Sequence, residues 1–208
     1  MRIEKIEKSK HKQERVLVYL EGGDLLRITE SELLRFGLYR GLDISPETVV
    51  ELKRYGAKSE TRATAANIIS SRPLSKAELQ RRLVKKGAQE EDAESAVEYL
   101  ERIGAVDDVA YAQMLVRHYS ARGYGEARIR DELFHRGVPH ENWDEALEAL
   151  PDAQEIIEKY VLSKTKGKTL DSKEYKRLCD ALLRRGFRWG DVKSVMNRLG
   201  AEIHDEED

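Results

Sequence analysis

Leu79-Gln80-Arg81-Arg82-Leu83-Val84-Lys85-Lys86-Gly87 is answered by Ile129-Arg130-Asp131-Glu132-Leu133-Phe134-His135-Arg136-Gly137 and again by Leu178-Cys179-Asp180-Ala181-Leu182-Leu183-Arg184-Arg185-Gly186. The closing glycines stand 50 and 49 residues apart, which makes the chain a tandem repeat. Aliphatic residues lie eight and four positions before each glycine: Leu79 and Leu83, Ile129 and Leu133, Leu178 and Leu182. At +6, +10 and +13 the units read Ala93, Val97, Leu100, then Trp143, Leu147, Leu150, then Val192, Met196, Leu199. Steps of three and four put each set on one helical stripe. Each glycine therefore ends a helix, where a residue without Cβ turns left-handed at no steric cost, and a second helix follows after a short connection. A further helix precedes each pair, over residues 66–72, 111–120 and 156–162. The predicted fold class is mainly α: tandem three-helix repeats forming an elongated curved rod, with a small N-terminal β-hairpin and helix. Function in such arrays lies on an extended surface rather than in a pocket.

Composition sets the bounds. A chain of 208 residues makes one domain or two small ones. Its 37% charged residues suit long solvated helices, and 40% hydrophobic with only 7% aromatic residues favours thin packing over one large core. The single cysteine, Cys179, cannot form an intrachain disulfide and reads as part of a helix face, consistent with a reducing cytoplasm. The start, Met1-Arg2-Ile3-Glu4-Lys5, lacks an apolar signal core, and no run approaches the roughly 18 apolar residues of a membrane span. A net charge of −2 makes no global case for nucleic-acid binding. The charge is nevertheless uneven. Residues 141–158 carry seven acidic and no basic side chains, residues 87–108 carry eight acidic and one arginine, and residues 159–198 carry twelve basic and four acidic, a net +8. Solvated helix faces account for the acidic runs as well as partner binding does.

Punctuation places the boundaries. Arg15–Leu20 is rich in β-formers, Glu21-Gly22-Gly23-Asp24 is a turn, and residues 25–28 return as a second strand. Residues 3–6 add a third strand, connected through the polar stretch 9–14. Thr29-Glu30-Ser31-Glu32 opens a short helix as a capping box, and Gly37 closes it. Ser45-Pro46 starts a helix in which Val49, Val50 and Leu52 form the apolar side; Tyr55-Gly56 leaves open whether one helix or two reach Pro73. Ser75-Lys76-Ala77-Glu78 is a second capping box, residues 163–169 read as an inserted loop, and Asp171-Ser172-Lys173-Glu174 restarts a helix. The expected divisions are an N-terminal βα element at 1–44, a linker helix and the start of repeat 1 at 45–72, the rest of repeat 1 at 73–105, repeat 2 at 106–150, repeat 3 at 151–200 and an acidic tail at 201–208.

No catalytic constellation stands out. His11, His118, His135, His140 and His204 lack metal-ligand spacing, so neither a metal nor a cofactor is expected. Asp107-Asp108 precedes a helix, where carboxylates cap free N–H groups. Gly123-Tyr124-Gly125 has neither the third glycine nor the preceding strand of a dinucleotide loop and reads as a helix–helix joint. Lys86, Arg136 and Arg185 each precede a repeat glycine. Cations there offset the helix dipole, and together with Lys85, Arg184, Arg81, Arg82, Arg128 and Arg130 they also compose a basic stripe suited to a phosphate backbone or an acidic protein groove. Both readings stand. Trp143 occupies a core position, whereas Trp189, in Phe187-Arg188-Trp189, fits core packing or base stacking.

Gly104-Ala105-Val106-Asp107-Asp108-Val109-Ala110-Tyr111-Ala112, then Val116-Arg117, then Arg122-Gly123-Tyr124-Gly125-Glu126-Ala127-Arg128-Ile129-Arg130-Asp131-Glu132-Leu133 and Arg136-Gly137-Val138 resemble the bacterial RecX family. Arg72-Pro73-Leu74-Ser75-Lys76-Ala77-Glu78-Leu79 and Leu83-Val84-Lys85-Lys86-Gly87 look like that family's first repeat. The likeness runs from about residue 62 to 150 and on to 200; Glu126 stands where many members have proline, and the third unit matches only by its glycine and apolar spacing. The N-terminal hairpin looks like an extension of longer members. The resemblance implies a non-enzymatic regulator, usually an inhibitor, of the RecA recombinase in homologous recombination, DNA repair and the SOS response. Such a protein binds RecA filaments on single-stranded DNA and limits filament growth, ATP hydrolysis and strand exchange. The expected protein is a monomer with weak contact with single- or double-stranded DNA, and the cysteine usage and lack of apolar runs place it in the cytoplasm without membrane contact. The candidate partner- or DNA-binding residues are Arg81, Arg82, Lys85, Lys86, Arg117, Arg122, Arg128, Arg130, Arg136, Lys164, Lys166, Lys168, Arg184 and Arg185. A stand-alone nucleic-acid-binding helical module is the alternative, supported by the +8 segment, and a generic protein–protein scaffold the third reading.

Overall fold

A computed structural model describes residues 1–10, 12, 14–165 and 170–199. It is mainly helical and divides into two units: Met1–Arg72 with Leu79–Val106, and Pro73–Glu78 with Asp107–Asp208.

The first unit begins with an antiparallel sheet in the order β1 (Ile3–Lys8), β2 (Arg15–Leu20), β3 (Leu25–Thr29), so the hairpin and the third strand both form as the β-former runs predict. Val16 faces Ile28 and Val18 faces Leu26 across the ladder. Alternation sends these four side chains and Leu20 to one face, where they are buried against Val49 and Leu52. Each fully buried aliphatic side chain contributes about 1.5–3 kcal/mol. Thr29 and Glu32 complete the expected capping box at α1 (Glu30–Arg35), and Gly37 leaves it with φ of 59°.

Ser45 caps α2 (Pro46–Ser71), which is a single helix of 26 residues. Gly56 does not break it. The carbonyl oxygen of Arg27 on β3 lies so close that any Cβ at Gly56 would collide with it, so the glycine trades about 1 kcal/mol of helix propensity for close packing on the sheet. The guanidinium of Arg15, 6% exposed, reinforces that seam by donating to the Gly56 carbonyl at 3.3 Å and to Ser59 Oγ at 2.7 Å. Val49, Leu52 and Gly56 form the buried stripe; Val50, expected on it, is 68% exposed because it sits about 100° around the helix from Val49. After α3 (Lys76–Lys85) and Gly87, at φ of 96°, comes α4 (Glu90–Arg102). Leu79, Leu83, Ala93, Val97 and Leu100 are all buried, as their spacing requires.

The second unit holds two three-helix sets. In the first, α5 (Asp108–Ala121), α6 (Glu126–His135) and α7 (Trp143–Leu147) enclose Tyr111, Leu115, Ile129, Leu133 and Trp143, whose indole N–H donates to the Val138 carbonyl at 2.9 Å. The stripe was expected to stay helical to Leu150. Instead α7 ends at Leu147, because Pro151 disfavours helical geometry at the residue before it, and both Leu147 and Leu150 are half-buried. In the second set, α8 (Ala153–Thr165), α9 (Ser172–Arg184) and α10 (Trp189–Arg198) enclose Ile157, Val161, Leu182, Val192 and Met196. Cys179 takes the buried place on α9 and Leu178 is half-buried, a rotation of the stripe by one residue. The expected loop begins later than predicted: Ser163, Lys164 and Thr165 continue α8, and residues 166–169 lie outside the described residues, as does the acidic tail 201–208. Asp171 and Glu174 form the predicted capping box of α9.

Candidate functional site

Within the second unit the Gly123-Tyr124-Gly125 joint receives the turn after α9. Gly125 N–H donates to the Arg185 carbonyl at 2.8 Å and Ala127 N–H to the Gly186 carbonyl at 3.3 Å. Free N–H groups at the start of α6 are thus satisfied by free carbonyls at the end of α9, with opposite dipole ends facing. A Cβ on Gly125 would lie 2.5 Å from the Gly186 oxygen, so only glycine fits there.

Arg185 locks this joint. Its guanidinium donates to the carbonyls of Arg122 at 2.9 Å and Gly123 at 3.1 Å, and lies 4.4 Å from the Tyr160 ring centre and 4.9 Å from that of Tyr124. Arg136 plays a comparable part: it donates to Tyr111 Oη and Tyr119 Oη, each at 3.2 Å, and pairs with Glu132 at 3.7 Å. Burial alone would lower the pKa of Arg136, but the two phenol oxygens outweigh it and raise the value, so the side chain stays cationic. The Arg136 carbonyl accepts from Ser75 Oγ, which also receives the Glu78 N–H at 3.0 Å.

Asp107 caps α5 as expected, accepting from Val109 and Ala110 N–H at 2.9 and 3.0 Å. Asp108 does not share that role: 5% exposed, it accepts from Lys76 N–H at 2.9 Å and so caps α3.

The predicted basic stripe is therefore partly spent inside the fold. Beyond Arg136 and Arg185, Arg128 pairs with Glu132 at 2.8 Å, and Arg130 pairs with Glu126 at 2.8 Å and Asp144 at 3.8 Å. Lys164 sits 5.7 Å from the Tyr160 ring centre. Arg81 is exposed and Arg82 half-buried on α3, while Lys85, Lys86 and Arg184 are exposed with no ion pair among the described residues. Lys166 and Lys168 lie outside the described residues. Trp189 is 51% exposed next to exposed Arg188, whereas Trp143 is core.

Arg117 and Arg122 come together at a cleft of about 520 Å³, where the third cation is Lys159. The Lys159 ammonium was not among the sequence candidates. Its signal was present: on a helix whose inward face is Ile156, Ile157 and Val161, Lys159 and Ser163 lie outside that face one turn apart. Ala149, Pro151 and Ile156 supply an apolar floor, and among the described residues no carboxylate lines the cleft. Three cations around an apolar floor can attract anions, most strongly at low salt. Among the described residues no cluster of histidine, cysteine and carboxylate side chains could hold a metal, and no helix is long and apolar enough to cross a membrane.

Residues 62–100 match the family model described as "RecX, first three-helix domain" and residues 107–147 the one described as "RecX, second three-helix domain". A Regulatory protein RecX of Vibrio vulnificus is 31% identical across 64% of this chain and 89% of that relative, and one of Oceanobacillus iheyensis is 26% identical across 95% and 76%. A crystal structure of a regulatory protein RecX superposes with a TM-score of 0.70 at 21% identity, covering 94% of this chain and 98% of that one. RecX from Lactobacillus salivarius gives 0.60 at 17% identity, covering 70% and 98%. These two structures share the fold.

Proposed function

We propose, since the chain belongs to the RecX family of regulatory proteins, that it binds RecA filaments on single-stranded DNA and limits filament growth, ATP hydrolysis and strand exchange, acting by binding and not by catalysis. Family membership is the observation that carries this reading. The geometry supports it through exposed cations on and beside the repeat helices, Arg117, Arg122 and Lys159 foremost, which offer an anionic partner a basic surface.

The test is a titration of this protein into RecA assembled on single-stranded DNA with ATP. Hydrolysis should fall as the protein is added. Blocking of filament ends predicts loss well below one protein per RecA protomer, because one block halts many subunits; groove binding predicts loss only as most sites fill.

The second reading, a stand-alone nucleic-acid module, is favoured by half-exposed Trp189 beside Arg188 in the +8 segment. Hydrolysis and strand exchange untouched at saturation, with tight and salt-sensitive binding to bare DNA, would replace the first reading with the second.

A further inference from the structure

Resting on that regulatory reading, we infer that the cleft rimmed by Arg117, Arg122 and Lys159 seats an acidic peptide segment of the protein partner, with an aliphatic side chain between its carboxylates. The charge argues first. Three cations from two helices and the joint converge with no carboxylate among the described lining residues, whereas the neighbouring cleft near Gly125 sets Arg130 and Arg188 against Glu126 and Asp191. The first cleft is complementary to a concentrated negative charge; the second is internally balanced.

The floor argues next. Ala149, Pro151 and Ile156 offer an aliphatic side chain apolar surface that a phosphodiester backbone cannot use. Single-stranded nucleic acid is held by a charged track together with aromatic platforms for its bases. The aromatic ring here, Tyr160, is already in contact with Arg185 at 4.4 Å and with Lys164 at 5.7 Å.

The serine hydroxyls of the cleft are already used: Ser120 donates to the Arg117 carbonyl at 3.2 Å and Ser163 to the Tyr160 carbonyl at 2.7 Å. The charged groups that remain are the compact Lys159 ammonium and the Arg117 and Arg122 guanidinium groups, that of Arg122 with one nitrogen 3.4 Å from His118 Nε2. A planar guanidinium fork can hold a carboxylate by two oxygens. At 520 Å³ the cleft holds a few side chains, within the roughly 300–1,000 Å³ of small binding pockets.

The experiment uses the full chain and a fluorescent peptide of alternating glutamate and leucine, read by anisotropy beside single-stranded oligothymidylate of equal charge. Arg117→Glu with Lys159→Glu should weaken peptide binding about tenfold or more, while Lys173→Glu with Lys176→Glu, an equal charge change at exposed positions of α9, should change it less than about threefold. Replacing leucine by serine in the peptide should also weaken it. The milder Arg117→Gln with Lys159→Gln repeats the comparison should the reversal disturb folding. Equal losses in cleft and control variants, no peptide binding at all, or selective loss of oligothymidylate binding alone would each overturn the inference, the last in favour of nucleic acid. RecA hydrolysis separates the two levels: inhibition retained without peptide binding removes the cleft assignment and keeps the regulatory reading, and the reverse result removes the regulatory reading and keeps the cleft.

Discussion

Replacing Gly186 with alanine tests the joint between α6 and α9 directly. At φ of 87° the backbone is in the left-handed region, where a Cβ costs about 1–2 kcal/mol in any surroundings. Gly123, at φ of 75°, carries that same cost within the same unit, and a Cβ there would meet its nearest neighbours at an ordinary 3.5–3.6 Å. At Gly186 the Cβ would instead collide with the Arg128 backbone nitrogen and lie 2.8 Å from Arg128 Cβ, atoms fixed in a helix that cannot rotate away. The turn must retreat. It then loses the Gly125 N–H to Arg185 and Ala127 N–H to Gly186 hydrogen bonds, worth about 1 kcal/mol each. The Arg185 stack on Tyr160 and Tyr124 adds about 0.5–1 kcal/mol. Gly186→Ala should therefore cost about 3.5–5 kcal/mol and Gly123→Ala about 1–2 kcal/mol. Urea denaturation followed by far-ultraviolet circular dichroism measures both, at unchanged slope. Equal losses in the two variants would show that the close approach contributes nothing and refute the joint as described.

Two further outcomes follow from burial. Leu83, Leu133 and Leu182 are each fully buried, so aspartate at any of them places an unpaired carboxylate in the core and should cost about 3 kcal/mol or more; Leu182→Asp melting like a surface substitution would remove the third repeat from the array. Burial pushes the Cys179 thiol pKa up, with a hydrogen bond from Tyr175 partly opposing it. Because the folded value exceeds the unfolded one, this contribution is intact below the unfolded thiol's pKa of about 8.5 and is lost as pH rises through the folded value. The wild type should thus lose more stability than Cys179→Val between about pH 7 and about pH 10, and parallel losses would show that the thiol is not responsible.

Much of the fold is legible in the chain because its signals are short-ranged. Gly87, Gly137 and Gly186 all carry positive φ, and Leu83, Leu133 and Leu182 are all buried, since a helix repeats every 3.6 residues and a C-terminal glycine acts within one turn. The boxes at Thr29 and Asp171 are equally local, each joining residues three apart. Where a neighbour distant in sequence decides, the chain leaves alternatives open. Gly56, a poor helix former, leaves one helix or two between Ser45 and Pro73, and the Arg27 carbonyl packed against it accounts for a glycine within the continuous α2.

The candidate surface was less legible for the same physical reason. Charge is written at every lysine and arginine, so the sequence by itself determined which units carry cations, and spacing determined which of them face away from each core. It did not determine which cations remain free. Arg185 is spent on carbonyls 63 and 62 residues earlier in the chain, Arg136 on phenols 25 and 17 residues away, and Asp108 on an N–H 32 residues before it. Lys159 gains a place beside Arg117 and Arg122 only once α8 packs near the end of α5. A hydrogen bond depends on distance in space, to within a few tenths of an ångström, and not on distance along the chain. The tertiary structure alone therefore decided which charges hold the fold together and which are left to meet a partner.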